Sequence, residues 1–475
     1  MNDTVGGWFS RLRRSWGAGL AAIAALSLLL QIPISMIGGL IGEREERRAE
    51  AVRDVSSKWG AAQMLTGPVL VVPYQAAERA SQPDGTFRVE YTRRAAVFLP
   101  DQLYVQVDLQ TESRSRGIFV VPVYRLKAAL SGRFSRPDFA FLAVKPVEIY
   151  WDQAEVALGI SDVRAVQTEA TLTWADKPVA FEPGPGNFEF DTVEADTSPE
   201  LNARPGKAPR RIAAGTGMHA PVAIQPDESG MEFSVPLQLN GTGNLRFVPF
   251  GRMTDVKMRS DSPSPSFQGA WLPQERQVDD AGFNASWSIA YLGRGYPQAW
   301  AADRTPSNLI ANSAFGVDLV EPVDPYRMAH RSVKYASLFL VLTFAAVWLI
   351  EVVGGRRIHW IQYLLVGGAL CLFFLLELSL AEHTGFDLAY LVAAASVVAM
   401  IASYGRAVFG RWQLAALVGV GISLLYGYLY LLLINEDYSL LGGSIGLFVM
   451  LAAAMYATRR VDWYAVADAK TTPPS

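Results

Sequence analysis

The sequence predicts a mixed α+β membrane protein with an N-terminal signal-anchor helix, a large exported β-rich domain and a C-terminal bundle of five transmembrane helices. Two observations support this fold class. Apolar runs of about 20 residues, enough to cross a bilayer core of roughly 30 Å, occur once near the start of the chain and again after residue 334. The segment between them has the composition of a soluble protein, with short β-type runs separated by Gly, Pro and Asp.

The first apolar run, Gly17 to Ile41, is predicted to be a retained signal anchor. It is longer than the apolar region of a cleaved signal peptide, and no clear small-residue cleavage motif follows it. Residues 1–16 then form an N-terminal tail, and 458–475 form a C-terminal tail. The five later spans, which make up the bundle 335–457, are predicted at Tyr335 to Val353, Trp360 to Ala381, Phe386 to Tyr404, Gln413 to Ile434 and Ser439 to Ala457.

Arginines in the short loops predict how these spans are oriented. The loops "EHTGFD" and "NEDY" contain no Lys or Arg, whereas the alternate loops and the C-terminal flank contain several. Positive loops stay in the cytoplasm, so both termini are predicted to be cytoplasmic and the domain between spans one and two to be exported. The arginines that decide this are Arg356, Arg357, Arg406, Arg411, Arg459 and Arg460.

The exported segment is predicted to begin as a helix and continue as strands. Residues 42–62 mix charges with apolar residues at helical spacing, and Glu43 precedes Arg47 by four residues, a stabilising order on a helix. From 63 to 334, alternating runs such as "QLYVQVDLQ" indicate half-buried strands of a sandwich or barrel. A Pro- and Gly-rich stretch divides the strands. They form either two lobes, 63–182 and 211–325, or one continuous sheet system.

Composition excludes several classes of function. A net charge of -3 argues against nucleic-acid binding, and the single cysteine, Cys371, permits no internal disulfide. The four histidines show no metal-binding spacing, so we predict no metal and no cofactor. "GGSIG" matches a hydrolase nucleophile string but lies inside a predicted span. We therefore interpret Gly442 and Gly446, like Gly38 and Gly42, as faces for close helix packing.

The stretch "CLFFLLELSLAEHTGFDLAY" contains the candidate polar site of the bundle. In one interpretation it is an interfacial hairpin, in which Gly385 ends one helix, Asp387 or Thr384 caps the next, and Glu377 pairs with a cation on the neighbouring helix. In the other, it is a polar cluster open to the outer leaflet that binds a lipid head group, a proton or a basic residue of a partner. The candidate residues are Glu377, Glu382, His383, Asp387, Arg331 and Lys334.

Several strings resemble the CreD family of bacterial inner-membrane proteins and together span most of the chain. They are "WGAAQMLTGPVLVVPY" from Trp59, "PSFQGAWLP" from Pro265, "GFNASW" from Gly282, "RSVKYASLFLVLTF" from Arg331, "HWIQYLLVG" from His359 and "LSLAEHTGFDLAY" from Leu378. Two positions depart from the pattern: Trp360 stands where a Pro commonly follows the His, and Ser264 stands where a His is expected. The resemblance implies a periplasmic exported domain, a role in envelope integrity and envelope stress, and no established catalytic activity.

The sequence leaves three classes of function to compare. The preferred one is a non-enzymatic envelope protein, held in inner-membrane lipid, whose β-rich domain binds an envelope component such as a periplasmic protein; self-association is left open. The alternative is a transporter or lipid-handling protein that uses the bundle and the cluster of Glu377, Glu382 and His383. The predicted spans carry no ionisable group near their midplanes, which disfavours this alternative. A third class, an exported hydrolase, lacks a recognisable catalytic triad.

Overall fold

The computed structural model describes residues 16–81, 87–188, 216–226, 228, 230–319, 325–354, 358–410, 412–435 and 438–459. The chain divides into two compact units. One is a helical unit, Met1–Arg47 with Val323–Ser475, and the other is a β-rich unit, Arg48–Pro322. The predicted combination of an N-terminal apolar helix, a β-rich middle and C-terminal apolar helices is confirmed.

The helices follow the apolar runs closely. They are α1 (Trp16–Leu29), α2 (Gln31–Trp59), α3 (Ser307–Asn312), α4 (Pro325–Gly354), α5 (Trp360–Thr384), α6 (Phe386–Phe409), α7 (Trp412–Ile434) and α8 (Ser439–Thr458). Within the described residues, five helical stretches are long and apolar enough to cross a membrane. The sixth predicted span, α8, has a shorter apolar stretch, Ser439–Ala453. The orienting arginines Arg356, Arg357, Arg411 and Arg460 lie outside the described residues.

The break between α1 and α2 lies at Leu30, three residues before Pro33. Proline has no backbone N–H, and its ring collides with the carbonyl four residues earlier, here that of Leu29, so the helix cannot pass this point undisturbed. Beyond it, α2 runs without interruption to Trp59, as predicted for the segment after the first span. On its surface, Arg47 Nη2 donates to Glu43 Oε1 at 2.6 Å.

The helices of the helical unit pack as sequential neighbours. α5 packs against α6, α6 against α7, and α4 against both α5 and α7. Aromatic rings fill the centre: Phe373 lies 4.5 Å from Tyr426 and 5.2 Å from Tyr390 between ring centroids. Tyr390 also donates a hydrogen bond to the backbone carbonyl of Tyr426 at 2.7 Å. These contacts tie α5, α6 and α7 together around one apolar interior.

The β-rich unit contains two sheets. Its strands are β1 (Gln63–Ser81), β2 (Phe87–Phe98), β3 (Gln102–Arg116), β4 (Phe119–Phe134), β5 (Pro146–Ile149), β6 (Ala154–Ile160), β7 (Thr171–Trp174), β8 (Lys177–Ala180), β9 (Glu182–Pro183), β10 (Gly217–Val222), β11 (Met231–Thr242), β12 (Asn244–Phe247), β13 (Met253–Ser260), β14 (Pro265–Gly269), β15 (Glu275–Asp279), β16 (Gly282–Ala290), β17 (Ala299–Ala301) and β18 (Phe315–Leu319).

Each sheet combines strands from the early and late parts of this segment. The first sheet has the order β14-β18-β12-β1-β6-β10-β9, with β2 and β5 also paired to β1, and β17 paired to β2. The second has the order β15-β16-β13-β3-β4-β11-β7-β8. Parallel pairing joins β1 to β12 and β3 to β13. The two-lobe alternative is therefore wrong, because strands of 63–182 and 211–325 lie side by side in both sheets.

Both sheets contribute to one hydrophobic cluster. Strand β3 alternates strictly, with Leu103, Val105, Val107 and Leu109 buried and the residues between them exposed or nearly so. This period of two is the pattern of a strand with one buried face. Rings meet between the sheets, since Phe267 of β14 lies 5.6 Å from Phe283 of β16. The opposite face of the second sheet is left polar.

Glu155 of β6 is a buried carboxylate within the β-rich unit. Glu155 is only 5% exposed. The backbone N–H of Asn187 donates to Oε1, and Asn187 Nδ2 donates to Oε2 at 2.9 Å. Burial raises the pKa of the Glu155 carboxyl above its ordinary value of 4.5, and the Asn187 hydrogen bonds oppose this shift only partly.

The pH dependence of stability should reflect this raised pKa. The folded protein holds the Glu155 proton more tightly than the unfolded chain, so its contribution is greatest below the unfolded pKa and is lost as pH rises through the folded pKa. The wild type should therefore lose thermal stability relative to Glu155→Gln as pH rises from about 4 to about 7. Thermal unfolding of both proteins across this range tests the prediction. A difference in midpoint that does not change with pH would contradict it.

Candidate functional site

Glu377 is a carboxylate enclosed within the helical unit. Glu377 lies on α5 and is 1% exposed, and Ser332 Oγ of α4 donates to its Oε2 at 2.7 Å. Its second oxygen, Oε1, is buried without a hydrogen-bond partner among the described residues. The sequence interpretation offered Arg331 or Lys334 as the partner. The structure instead places the hydroxyl of Ser332, a neutral donor, against the carboxylate.

Glu382, five residues further along α5, has charged and polar partners. Tyr326 Oη donates to Glu382 Oε1 at 3.0 Å, and Arg44 Nε lies 3.6 Å from the same oxygen. The Glu382 side chain is 8% exposed and that of Arg44 is 34% exposed. The arrangement joins α2, α4 and α5 through one carboxylate. The Glu382 carboxylate therefore already has partners within the protein.

The remaining predicted residues do not converge on Glu377. His383 and Lys334 are exposed, and Arg331 donates to the carbonyl of Leu432 at 3.2 Å. Asp387 is exposed and accepts a hydrogen bond from Tyr430 Oη at 3.0 Å. The structure therefore separates the six candidates into a buried carboxylate, a paired carboxylate and several surface groups.

The turn between α5 and α6 agrees in part with the interpretation of this stretch as an interfacial hairpin. Gly385 ends α5 with φ +80°, a conformation that favours glycine. The predicted capping of α6 by Asp387 or Thr384 is wrong, because Gly385 is itself the N-cap residue and no side-chain cap is formed. Thr384 Oγ1 donates back to the carbonyl of Leu380 at 3.0 Å instead.

The glycine pairs have different surroundings. A Cβ at Gly446 would meet the ring of Tyr428, and a Cβ at Gly442 would meet the side chain of Leu432, so α8 approaches α7 closely at both positions. The hydroxyl of Tyr428 also donates to the carbonyl of Gly442. At Gly38, Val333 would lie at an ordinary contact distance of 3.9 Å, whereas a Cβ at Gly42 would meet nothing within 4 Å.

A second candidate site lies on the outward face of the second sheet, where side chains line a depression of about 900 Å³. We call it the polar depression. Pairing registers align its side chains in rows that cross six neighbouring strands from β15 to β11. One row is Gln277, Asn284, Arg259, Asp108, Lys127 and Gln238. The next row is Glu275, Ser286, Lys257, Gln106, Ala129 and Pro236.

The charges of the polar depression are unbalanced. Three basic side chains, those of Lys127, Lys257 and Arg259, line it together with the acids Asp108 and Glu275, which leaves one positive charge in excess. Asp108 neighbours both Lys127 and Arg259 across the strands. Within the described part of the chain, however, none of these five side chains forms an ion pair within 4.0 Å.

Basic groups just outside the polar depression behave differently. Arg125, two residues before Lys127 on β4, lies 3.0 Å from Glu112 and stacks over the ring of Trp59 at 5.5 Å. Arg114 also pairs with Glu112, at 3.2 Å. Neighbouring positions of the same two strands therefore satisfy their charges internally. Those of the polar depression are left for solvent or a ligand.

The sequence interpretation missed the polar depression and Ser332. Alternation in "QLYVQVDLQ" indicated that Gln106 and Asp108 would share a face, but which other side chains join them depends on pairing between distant segments. Within the described ranges, no group of three or more His, Cys, Asp or Glu side chains is placed to hold a metal ion.

Comparison with known proteins agrees with this architecture. The model of a family described as inner membrane protein CreD matches residues 15–464. Inner membrane protein CreD of Escherichia coli (strain K12) is 30% identical over 443 residues, which cover 92% of this chain and 91% of that protein. The resemblance seen in the sequence strings is confirmed over nearly the whole chain. The protein therefore belongs to the CreD family of inner membrane proteins.

Proposed function

We propose that this protein is a non-enzymatic inner-membrane protein that supports the integrity of the cell envelope and its response to stress, and that its β-rich unit binds an envelope component. The polar depression is the observation that carries this proposal. It is concave, it crosses six strands, and its charged side chains have no ion-pair partners among the described residues. Family membership supports the inner-membrane location.

Binding to isolated envelope material tests this function. Full-length protein in detergent should co-sediment with an insoluble envelope fraction, and Lys127→Ala/Arg259→Ala should reduce the bound fraction severalfold, because two unpaired charges that face the ligand are removed. Lys177→Ala is the matched control, since Lys177 is exposed on β8 outside the polar depression. Equal binding by the double variant and the wild type would contradict the proposal.

The proposal also requires that the β-rich unit lies in the periplasm and both termini in the cytoplasm. In a Cys371→Ser background, Lys177→Cys should react with a membrane-impermeant maleimide in intact spheroplasts. Gln413→Cys, exposed at the start of α7, should react only after lysis. Cys371 is the only cysteine of the chain, so each variant carries one reactive thiol. Labelling of Lys177→Cys only after lysis would reverse the orientation.

A transporter or lipid-handling function is the alternative, and Glu377 is the observation that favours it. A carboxylate oxygen buried without a partner is costly in an apolar interior, and such groups mark ion or substrate paths in membrane proteins. Glu382 and His383 lie on the same helix, but Glu382 is already paired with Arg44 and Tyr326. Glu377→Gln keeps an oxygen that can accept from Ser332 and removes the charge, so it separates the two functions.

A further inference from the structure

We propose that the ligand of the polar depression is an acidic glycan, a linear sugar polymer with hydroxyl groups and carboxylates, that lies across the strands of the second sheet. This inference rests on the proposed function and names the chemical class of its envelope component.

The shape suits an extended chain. Side chains of six adjacent strands line the polar depression, and at about 4.8 Å between strands this corresponds to roughly 24 Å. One row contains the short side chains of Ala129, Pro236 and Ser286 among the longer ones of Glu275, Lys257 and Gln106. The depression they line extends across the strands. A linear polymer that lies across the strands would contact side chains of both rows along its length.

The lining chemistry matches hydroxyl and carboxylate groups. The amides of Gln106, Gln238, Gln277 and Asn284 each present a donor and an acceptor, as a sugar hydroxyl requires of its partners. Guanidinium and ammonium groups form the stronger, charge-assisted bonds to carboxylates. The excess positive charge favours a negatively charged ligand. A polar outward face is common in antiparallel sheets, so the concavity and the unpaired charges, rather than polarity alone, point to a ligand.

The features that other polymers would need are missing from this face. Main-chain groups of β3, β4, β11, β13 and β16 are engaged in the pairing ladders of the sheet, so an acidic peptide that lies across these five strands cannot bind by strand addition. The outward-facing residues lining the depression include no aromatic side chain to anchor a folded protein partner. A hydroxyl-rich chain instead draws its affinity from the polar side chains present.

Calorimetric titration of full-length protein in detergent with oligogalacturonate, a linear sugar acid, tests this inference. The wild type should bind, and binding should weaken with added salt. Lys127→Ala/Arg259→Ala should bind with an affinity at least about tenfold lower, whereas Lys177→Ala should match the wild type. The conservative Lys127→Arg/Arg259→Lys should retain binding, which shows that any loss is due to charge. A neutral cello-oligosaccharide should not bind measurably.

Three results would overturn the inference: no binding of oligogalacturonate, equal binding by the double alanine variant, or equally tight binding of poly-glutamate, which would favour an acidic peptide. The envelope co-sedimentation distinguishes these from failure of the proposed function. If the double variant loses envelope binding while oligogalacturonate does not bind the wild type, the ligand class is wrong and the function stands. If co-sedimentation is insensitive to the double variant, the proposed function fails as well.

Discussion

Replacement of Arg294 by Met is expected to lower the free energy of unfolding of the β-rich unit by about 3 kcal/mol or more. Arg294 is 4% exposed, and its Nη1 donates to the carbonyls of Pro249, Phe250 and Gly251 at 3.1, 2.7 and 2.9 Å. Burial lowers the pKa of the guanidinium to about 10, which still leaves it charged at neutral pH. Methionine would fill much of the volume and leave these acceptors without their donor.

The loss of stability should also affect the link between β2 and β3, because Gln298 connects that link to Arg294. Arg294 Nη2 donates to Gln298 Oε1 at 2.5 Å, and Gln298 Nε2 in turn donates to the carbonyls of Leu99 and Pro100 at 3.0 and 2.8 Å. One guanidinium thus orders the turn before β13 and, through Gln298, the link between β2 and β3. Loss of the arginine should loosen both connections.

Pulse proteolysis of the full-length protein in increasing urea measures this loss. Arg294→Lys retains the charge but not the planar fork, so its loss should be smaller, about 1–2 kcal/mol. Arg304→Met is the matched control, because Arg304 is exposed and surface substitutions usually change stability by less than about 0.5 kcal/mol. If Arg294→Met resists protease as well as the Arg304→Met control, the guanidinium does not hold these turns.

The helical unit could be predicted from sequence because its signals are local. The span predicted at Gln413 to Ile434 is α7, Trp412–Ile434, since about 20 apolar residues in a row identify a membrane-length helix without tertiary information. The residues that contact each span are harder to predict from the sequence. The donor to Glu377 is Ser332, 45 residues earlier in the chain, and nothing in either segment indicates that the two meet.

For the β-rich unit, the sequence predicted a β-strand fold but not the order in which the strands pair. The charged residues Arg93 and Arg94 interrupt the apolar pattern between "FRVEYT" and "RAAVFLP", yet β2 is one strand, because twelve consecutive partners on β1 carry it through both arginines. Strand β6 has no alternation that would identify it, because all seven of its residues are buried. The polar depression depends on parallel pairing of β3 with β13, two segments about 150 residues apart. Such long-range registers leave no local pattern.

Loss of envelope protection by Lys127→Ala/Arg259→Ala is the other large effect that we expect. Both side chains line the polar depression, both flank Asp108 in the same row, and neither is paired within the described residues. Their removal turns an excess of one positive charge into an excess of one negative charge. Because both groups are on the surface, the folded unit should keep its stability, so a cellular defect would reflect lost binding rather than lost protein.

The most direct measurement is therefore complementation of a deletion strain that shows an envelope-stress defect, with every variant at wild-type membrane abundance. Glu377→Gln tests the lipid-handling alternative in the same strain, and Lys177→Ala controls for loss of a surface charge. We expect Lys177→Ala and Glu377→Gln to restore growth under envelope stress, and Lys127→Ala/Arg259→Ala to fail. Full rescue by the double alanine variant, with failure of Glu377→Gln, would contradict the account and place the function in the helical unit.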